Sequence, residues 1–208
     1  MTAILDYGAG NLTSVELAFK HIGADVTVTA DAAVALQADR VVFPGVGSAA
    51  SGLAGMKKHK FDILLKDLMA RNTPVLSICL GMQLLFESSA EDGGVEALSM
   101  IPGCVKLFDF ADKSIKIPHM GWNTVDFSMP HPLWQGIPDG SAFYFVHSYY
   151  VDCRKENAAG TTEYENFRFV SAAAAGSFFA TQFHPERSGK AGLAILENFL
   201  TWRPEKCC

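Results

Sequence analysis

The sequence contains no C-x-x-C pair, no extended run of Lys and Arg, and no apolar run long enough to cross a membrane. Each absence excludes a class. The five cysteines, at 79, 104, 153, 207 and 208, match neither a zinc or dithiol motif nor the framework of a small secreted protein, so a reducing cytoplasm is the expected setting. Cys207-Cys208 reads as a frayed end with exposed thiols. A net charge of −5 with no basic run argues against a general nucleic-acid surface. The N-terminus has no basic segment leading into an apolar one, so neither a secretory leader nor a membrane partner is expected. There is no G-x-x-x-x-G-K-[ST] phosphate loop, and no His or Cys pair has ligand spacing. His119, His131 and His147 are too scattered to propose a metal site. Internal repeats and low-complexity linkers are missing too.

What is present suits one globular unit. With 208 residues, 49% of them hydrophobic, the chain can bury a sizeable core, and a single domain over residues 1–205 is expected. Ala3–Tyr7 is a short apolar strand closing on the turn cluster Gly8-Ala-Gly-Asn11. Asn11 or Thr13 is placed to cap a helix running to about His21, whose buried stripe can draw on Leu12, Val15, Leu17, Ala18, Phe19 and Ile22. Asp25–Thr29 and Arg40–Phe43 read as the next strands. Strands alternating with helices predict a doubly wound α/β fold, its sheet mostly parallel and its site at the carboxyl ends of the strands.

A helix is expected after Ser48, reaching about Arg71, with His21 and His59 on helix surfaces. Beyond Glu87 the texture changes. Ser88–Gly94 reads as loop. Short runs at Val105–Phe108, Thr124–Phe127, Ala142–Val151, Arg168–Ala172 and Ser177–Phe183 predict an antiparallel extension of the same sheet, with Ala172–Ala175 as a turn. A last helix starts at a Ser188 cap and ends before Pro204.

The chain is organised around Pro74-Val-Leu-Ser-Ile-Cys-Leu-Gly-Met-Gln-Leu-Leu-Phe86. Pro74–Ile78 reads as a buried strand, Gly81–Glu87 as the first turns of a helix, and Cys79 sits at the junction. A nucleophile there projects from a tight strand-to-helix turn. The helix start favours a thiolate and offers free N–H groups to an oxyanion. Taken alone, a buried structural cysteine explains the same residues. Pro44-Gly-Val-Gly-Ser48 follows the third strand, and its glycines allow substrate to approach the backbone closely. An N–H from this loop, with Val46 the best donor, can complete an oxyanion hole with the N–H of Leu80. By itself, it reads better as an ordinary βα loop.

The run Gln182-Phe-His-Pro-Glu-Arg187 supplies the missing groups. Pro185 forces His184 toward an extended conformation, in which residues i and i+2 share a face, placing Glu186 beside His184. Base plus orienting carboxylate, joined to a cysteine elbow, make a nucleophile–base–acid triad.

These motifs resemble those of the class I, triad-type glutamine amidotransferases. Asp6-Tyr-Gly-Ala-Gly-Asn-Leu12, Pro44-Gly-Val-Gly47, Ile117-Pro-His-Met-Gly-Trp-Asn123 and Tyr144-Phe-Val-His-Ser-Tyr149 narrow the likeness to the glutaminase subunits of imidazole glycerol phosphate synthases. Other class I members tend to carry Pro-Gly-Gly in place of Pro-Gly-Val-Gly. The resemblance implies Cys79 as nucleophile, His184 as general base and acid, and Glu186 as its orienter. It implies that Gly47, Gln83 and Glu91 bind L-glutamine, Glu91 through the ammonium group. It also implies a (β/α)₈-barrel cyclase partner in a heterodimer, docked near Asn11, Trp122, Tyr144 and Arg187, and no cofactor or metal. Trp122 has a second reading as a core residue. Three positions depart from the pattern: Ser77 and Glu165-Asn166 stand where Gly is usual, and Arg187 where Lys is usual. The rivals are a glutaminase serving another synthase, such as those making anthranilate or pyridoxal phosphate, and a non-catalytic binding subunit.

Overall fold

The computed structural model describes residues 1–8 and 12–205. Asn11 and the Cys207-Cys208 tail lie outside them. Strands β1 (Thr2–Leu5), β2 (Val26–Thr29), β3 (Arg40–Gly45) and β4 (Val75–Cys79) pair in parallel in the order β2-β1-β3-β4. β1, β3 and β4 are buried throughout, which is why they read as continuous apolar runs without alternation. Successive residues serve two cores. Ala3, Leu5, Val41 and Phe43 face one cluster, while Ile4, Val42 and Leu76 face the other.

Helix α1 (Leu12–His21) covers the second cluster with Val15, Ala18 and Phe19. Leu17, expected in its buried stripe, is instead 60% exposed, because the i, i+3, i+4 set is complete without it. Thr13 lies inside the helix and is not its cap. Helix α2 (Ala32–Leu36) was not anticipated, although Asp31 marks its start by accepting a hydrogen bond from the N–H of Ala33 at 2.8 Å.

The single helix expected to reach Arg71 is two: α3 (Ala49–Lys58) and α4 (Phe61–Ala70), broken at left-handed Lys60 (φ 58°). One straight helix over that span would be about 33 Å long, roughly twice a five-residue strand at about 17 Å. The break lets Leu53 and Met56 of α3 and Phe61, Leu64, Leu65 and Leu68 of α4 pack into the same core. His59 caps α3 and its Nδ1 lies 3.0 Å from the carbonyl of Ala30.

α5 (Leu80–Leu84) follows β4 directly and is shorter than expected. The Ser88–Gly94 stretch holds a two-residue strand, β5 (Ser88–Ser89), and a 3₁₀ turn, and precedes β6 (Val95–Glu96). The extension is built from β7 (Gly103–Leu107), β8 (His119–Phe127), β9 (Ser141–His147), β10 (Tyr149–Cys153), β11 (Ala158–Tyr164), β12 (Phe167–Ala175) and β13 (Phe178–Thr181). β13 pairs in parallel with β4, and β12 against it begins the antiparallel half. Ala142–Val151 is not one strand. It divides at Ser148, with β9 pairing β8 and β10 pairing β7 and β12.

Ala172–Ala175 belongs to β12, paired to β13, and the turn falls at Gly176 (φ 55°) and Ser177. Alanine carries no turn chemistry, whereas glycine takes positive φ freely. β11, also not anticipated, joins β12 through Glu165 (φ 50°) and Asn166 (φ 63°). Positive φ at both central residues is the type I′ hairpin geometry that usually carries glycine. Helix α6 (Gly189–Thr201) shares the α1 face of the sheet. Ser188 precedes it but makes no side-chain cap. No helix among the described residues is long and apolar enough to cross a membrane.

Candidate active site

Cys79 ends β4 at φ 56°, ψ −112° and leads straight into α5. A non-glycine residue held there stores strain of order 1–3 kcal/mol, a cost tolerated chiefly where geometry serves function. The turn leaves no room at position 81: a Cβ on Gly81 would lie 2.0 Å from the carbonyl oxygen of Phe43. Ser77, at the other flank, is fully buried and its hydroxyl has no hydrogen-bond partner.

Strand order explains what surrounds the sulfur. β4 lies between β3 and β13, so the loop after β3 borders Cys79 on one side and the segment after β13 borders it on the other. Val46, Gly47, Cys79, Leu80, Gln83, Glu91 and His184 line one cavity of about 310 Å³. Residues assigned from four separate stretches thus meet in one place.

His184 Nδ1 and Glu186 Oε1 are 2.8 Å apart, and both side chains are nearly buried. The pair forms by a different local route from the one expected. His184 is extended (φ −100°, ψ 97°), but Pro185–Arg187 is a 3₁₀ turn, and that turn brings Glu186 back to the imidazole. Burial alone would push the His184 pKa down. The neighbouring Cys79 sulfur and the Glu186 carboxylate outweigh it and raise the value to about 10. Such an imidazole is held as imidazolium. Ser188 fixes the backbone here: its hydroxyl donates to the His184 carbonyl at 2.6 Å and accepts from the Tyr144 N–H at 2.9 Å. This use of the hydroxyl is why Ser188 does not cap α6.

Glu91 Oε2 accepts from the N–H of Ala49 at 2.8 Å, and Asp92 Oδ2 from Ala50 at 2.9 Å. The start of α3 is therefore capped from the Glu91 loop, not by Ser48, whose side chain makes no cap. Burial, the largest influence, raises the Glu91 pKa.

Trp122 is 59% exposed and is not a core residue. Its ring meets Tyr144 edge-on at 6.3 Å, and the Arg187 guanidinium lies 4.4 Å over the Tyr144 ring. Met120, on the same strand face as Trp122, is 62% exposed.

Four residues near the site had no role in the sequence reading. The Tyr7 hydroxyl donates to the Pro44 carbonyl at 2.7 Å, anchoring the start of the 44–47 loop. Its pKa is raised, chiefly by burial and then by the charge of Cys79. His119 and His147, too scattered in sequence to suggest a pair, are hydrogen-bonded through Nδ1 and Nε2 at 3.0 Å. Gln182 Nε2 lies 3.7 Å from Cys79 Sγ. The signal for all four was their place in motifs already singled out: Tyr7 follows Asp6, His119 lies two residues after Ile117, His147 two before Tyr149, and Gln182 two before His184.

The profile of the family described as glutamine amidotransferase class-I matches residues 3–202. The chain is similar over nearly its whole length to proteins named imidazole glycerol phosphate synthase subunit HisH. That of Pseudomonas syringae pv. syringae is 46% identical, the match covering 96% of each chain. That of Methylococcus capsulatus is 48% identical, covering 97% of this chain and 96% of its own. Among solved structures, the glutaminase domain of Trypanosoma brucei CTPS with bound acivicin matches at a TM-score of 0.67 and 17% identity, covering 100% of this chain and 97% of its own. PurLQS from Thermotoga maritima matches at 0.71 and 15%, covering 96% and 97%. At those identities the likeness is one of fold. The chain belongs to the class I glutamine amidotransferases and, within them, to the HisH family of imidazole glycerol phosphate synthase subunits.

Proposed function

We propose that this chain is the glutaminase subunit of an imidazole glycerol phosphate synthase, acting in histidine biosynthesis. It hydrolyses L-glutamine to glutamate and ammonia. The Cys79 thiolate attacks the side-chain amide carbon, and the amide oxygen becomes an oxyanion facing the N–H groups of Leu80 and Val46. His184 gives its proton to the departing nitrogen, and ammonia leaves a γ-glutamyl thioester on Cys79. A water molecule, deprotonated by His184, then attacks the thioester, releasing glutamate and restoring the ion pair. Glu186 holds the imidazole in the productive tautomer and balances its charge. Glu91 receives the substrate ammonium group through the carboxylate oxygen not bonded to Ala49, while Gln83 and Gly47 bound the pocket. The observation that carries this reading is the His184–Glu186 pair sharing one cavity with a cysteine held at positive φ.

The ammonia then passes to a cyclase subunit of (β/α)₈-barrel type in a heterodimer. There it reacts with a phosphoribulosyl-formimino carboxamide ribonucleotide, giving imidazole glycerol phosphate and the aminoimidazole carboxamide ribonucleotide, the lyase half of the reaction. Channelling has a physical motive: ammonia released into neutral water becomes ammonium, a poor nucleophile. The docking face is formed by exposed Trp122 and Arg187 with half-buried Tyr144 between them, and Asn11 in the same reading, since aromatic and Arg anchors dominate interface energetics. The whole chain serves as one amidotransferase domain in the cytoplasm. Its described cysteines, Cys79, Cys104 and Cys153, are free thiols, as suits a reducing compartment.

The test is to mix this chain with the barrel subunit of the same organism. Glutamine-dependent formation of imidazole glycerol phosphate and a 1:1 complex by light scattering are expected. No complex and no glutamine-dependent product would reject the reading.

A further inference from the structure

Gln182 is completely buried at the start of the segment that carries His184. Its two amide ends point in different directions: Nε2 toward Cys79 Sγ at 3.7 Å, and Oε1 toward Gln83 Nε2 at 2.9 Å. Which end faces the sulfur is a matter of donors and acceptors, and the surrounding network decides it. A carbonyl oxygen only accepts, so the Tyr149 carbonyl accepts hydrogen bonds from His147 Nδ1–H at 2.7 Å and from Gln83 Nε2–H at 3.2 Å. His147 is neutral, its pKa depressed to about 3 by burial first of all, so its Nε2 is an acceptor. It accepts from His119 Nδ1 at 3.0 Å, and His119 Nε2 in turn accepts from Asn123 Nδ2 at 3.3 Å. Asn123 is oriented by its own contacts, its Oδ1 accepting from the Thr124 N–H at 2.8 Å.

The Tyr149 carbonyl, an acceptor whatever the imidazoles do, fixes Gln83, and Gln83 fixes Gln182. Gln83 must present N–H groups to both Tyr149 and Gln182, so Gln182 must present its oxygen to Gln83 and its N–H to the sulfur. Reversing Gln182 would set two NH₂ groups against each other and an amide oxygen against the thiolate.

We infer that Gln182 is a further catalytic residue of the proposed glutaminase, donating an N–H hydrogen bond to the Cys79 thiolate in an orientation enforced by Gln83. The inference rests on Cys79 being the nucleophile. The ionisable groups around the sulfur are His184 with Glu186, Tyr7, His147, and, across the same cavity, Glu91 and Tyr149. Of these, His184 stabilises the thiolate by its charge. Gln182 adds a neutral donor that stays in place when the imidazolium gives up its proton to the leaving nitrogen. At that moment the sulfur is bonded to carbon. When the thioester breaks and the thiolate returns, the amide is already aimed at it, with no reorganisation required.

The test is alkylation of the full chain by iodoacetamide, which needs no glutamine site, with the modified cysteine identified by peptide mass. In the unaltered protein Cys79 should react well ahead of Cys104 and Cys153 at pH 6–7. In Gln182→Met, which keeps length but has no donor, Cys79 alkylation at fixed pH should fall about tenfold. The pH of half-maximal alkylation should rise by about one unit, as expected for one hydrogen bond to a charged group. Gln182→Asn keeps a buried amide but withdraws the donor by one methylene, and should lose reactivity in the same direction. That variant carries the test if Gln182→Met does not fold. Rates and pH midpoints within twofold of the unaltered protein in a folded variant would overturn the inference while leaving the nucleophile intact. Cys79 reacting no faster than Cys104 and Cys153 in the unaltered protein would overturn both.

Discussion

The imidazoles of His119 and His147, 28 residues apart in sequence, are joined by a 3.0 Å Nδ1···Nε2 hydrogen bond at the wall of the active-site cavity. They face each other because β8 and β9 pair with His119 opposite His147. His147 must be neutral for its Nε2 to accept there, and His119 must be neutral for its own Nε2 to accept from Asn123.

An acid limb in stability follows. Burial lowers the pKa of His119 to about 4 and of His147 to about 3. In the unfolded chain both take up a proton near the ordinary value of about 6.5. Below that pH the unfolded state binds more protons than the folded one, so the contribution is fully present above about pH 6.5 and is lost as the pH falls through about 4. Thermal midpoints measured from pH 7 to pH 4 should therefore fall less steeply for His119→Gln than for the unaltered protein, although the variant starts lower at pH 7. Parallel curves would show that the pair does not titrate with folding.

Cys79→Ala should abolish glutamine-dependent synthase activity while the complex still turns over with added ammonium salt, because the cyclase needs only ammonia. Loss of both activities in an assembled complex would reject the division of labour between the subunits.

The chain alone should be a poor glutaminase. In the proposed mechanism Leu80 presents one N–H from the start of α5 and Val46 the second; Val46 is 41% exposed at the cavity rim. Tyr7 holds the Pro44 carbonyl, but the Gly45–Val46 peptide beyond it has glycine on one side and Gly47 at φ 102° on the other, where rotation is sterically cheap. One missing oxyanion donor costs about 2.7–4 kcal/mol, or about 10²–10³ in rate. Glutaminase turnover should rise in steps from the isolated chain to the complex, and again with the nucleotide ligand of the cyclase. Equal kcat in all three states would mean a permanently formed hole.

Trp122→Ala should leave the fold nearly untouched, since the side chain is 59% exposed. Its effect should fall on partner affinity instead. A truncated hot-spot aromatic costs about 2 kcal/mol or more in binding, or roughly 30-fold in Kd. Titration by calorimetry with an unchanged Tm for the isolated variant is the expected pair of results. Unchanged affinity would remove Trp122 from the interface.

Ser77→Ala should stabilise the protein. The hydroxyl is fully buried without a partner, and an unsatisfied buried polar group costs about 1–3 kcal/mol. Removing it should raise Tm by a few degrees, about 2–4 °C for each kcal/mol in a chain of this size. A lower Tm would show that the oxygen contributes more by packing than it costs by desolvation.

The sequence alone was enough for the parallel half of the sheet, for the elbow at Cys79 and for the His184–Glu186 contact, and the reason is locality. A buried parallel strand is a short apolar run, a strand-to-helix elbow needs glycine close to the nucleophile, and His184 and Glu186 are two residues apart. Each of these is decided within a handful of residues. Even Glu186, reached through a 3₁₀ turn instead of an extended strand, stayed within reach of the imidazole for that reason. Tertiary structure alone decided the break at Lys60, where helix length had to match strand length. It decided the division of Ala142–Val151 at Ser148, where one continuous run had to serve two neighbouring pairings. The exposure of Trp122, the meeting of His119 with His147, and the aim of the Gln182 amide at Cys79 also belong to the fold. Each is set by strand register or by a hydrogen-bond chain linking distant residues, and spacing along the chain carries no signal for either.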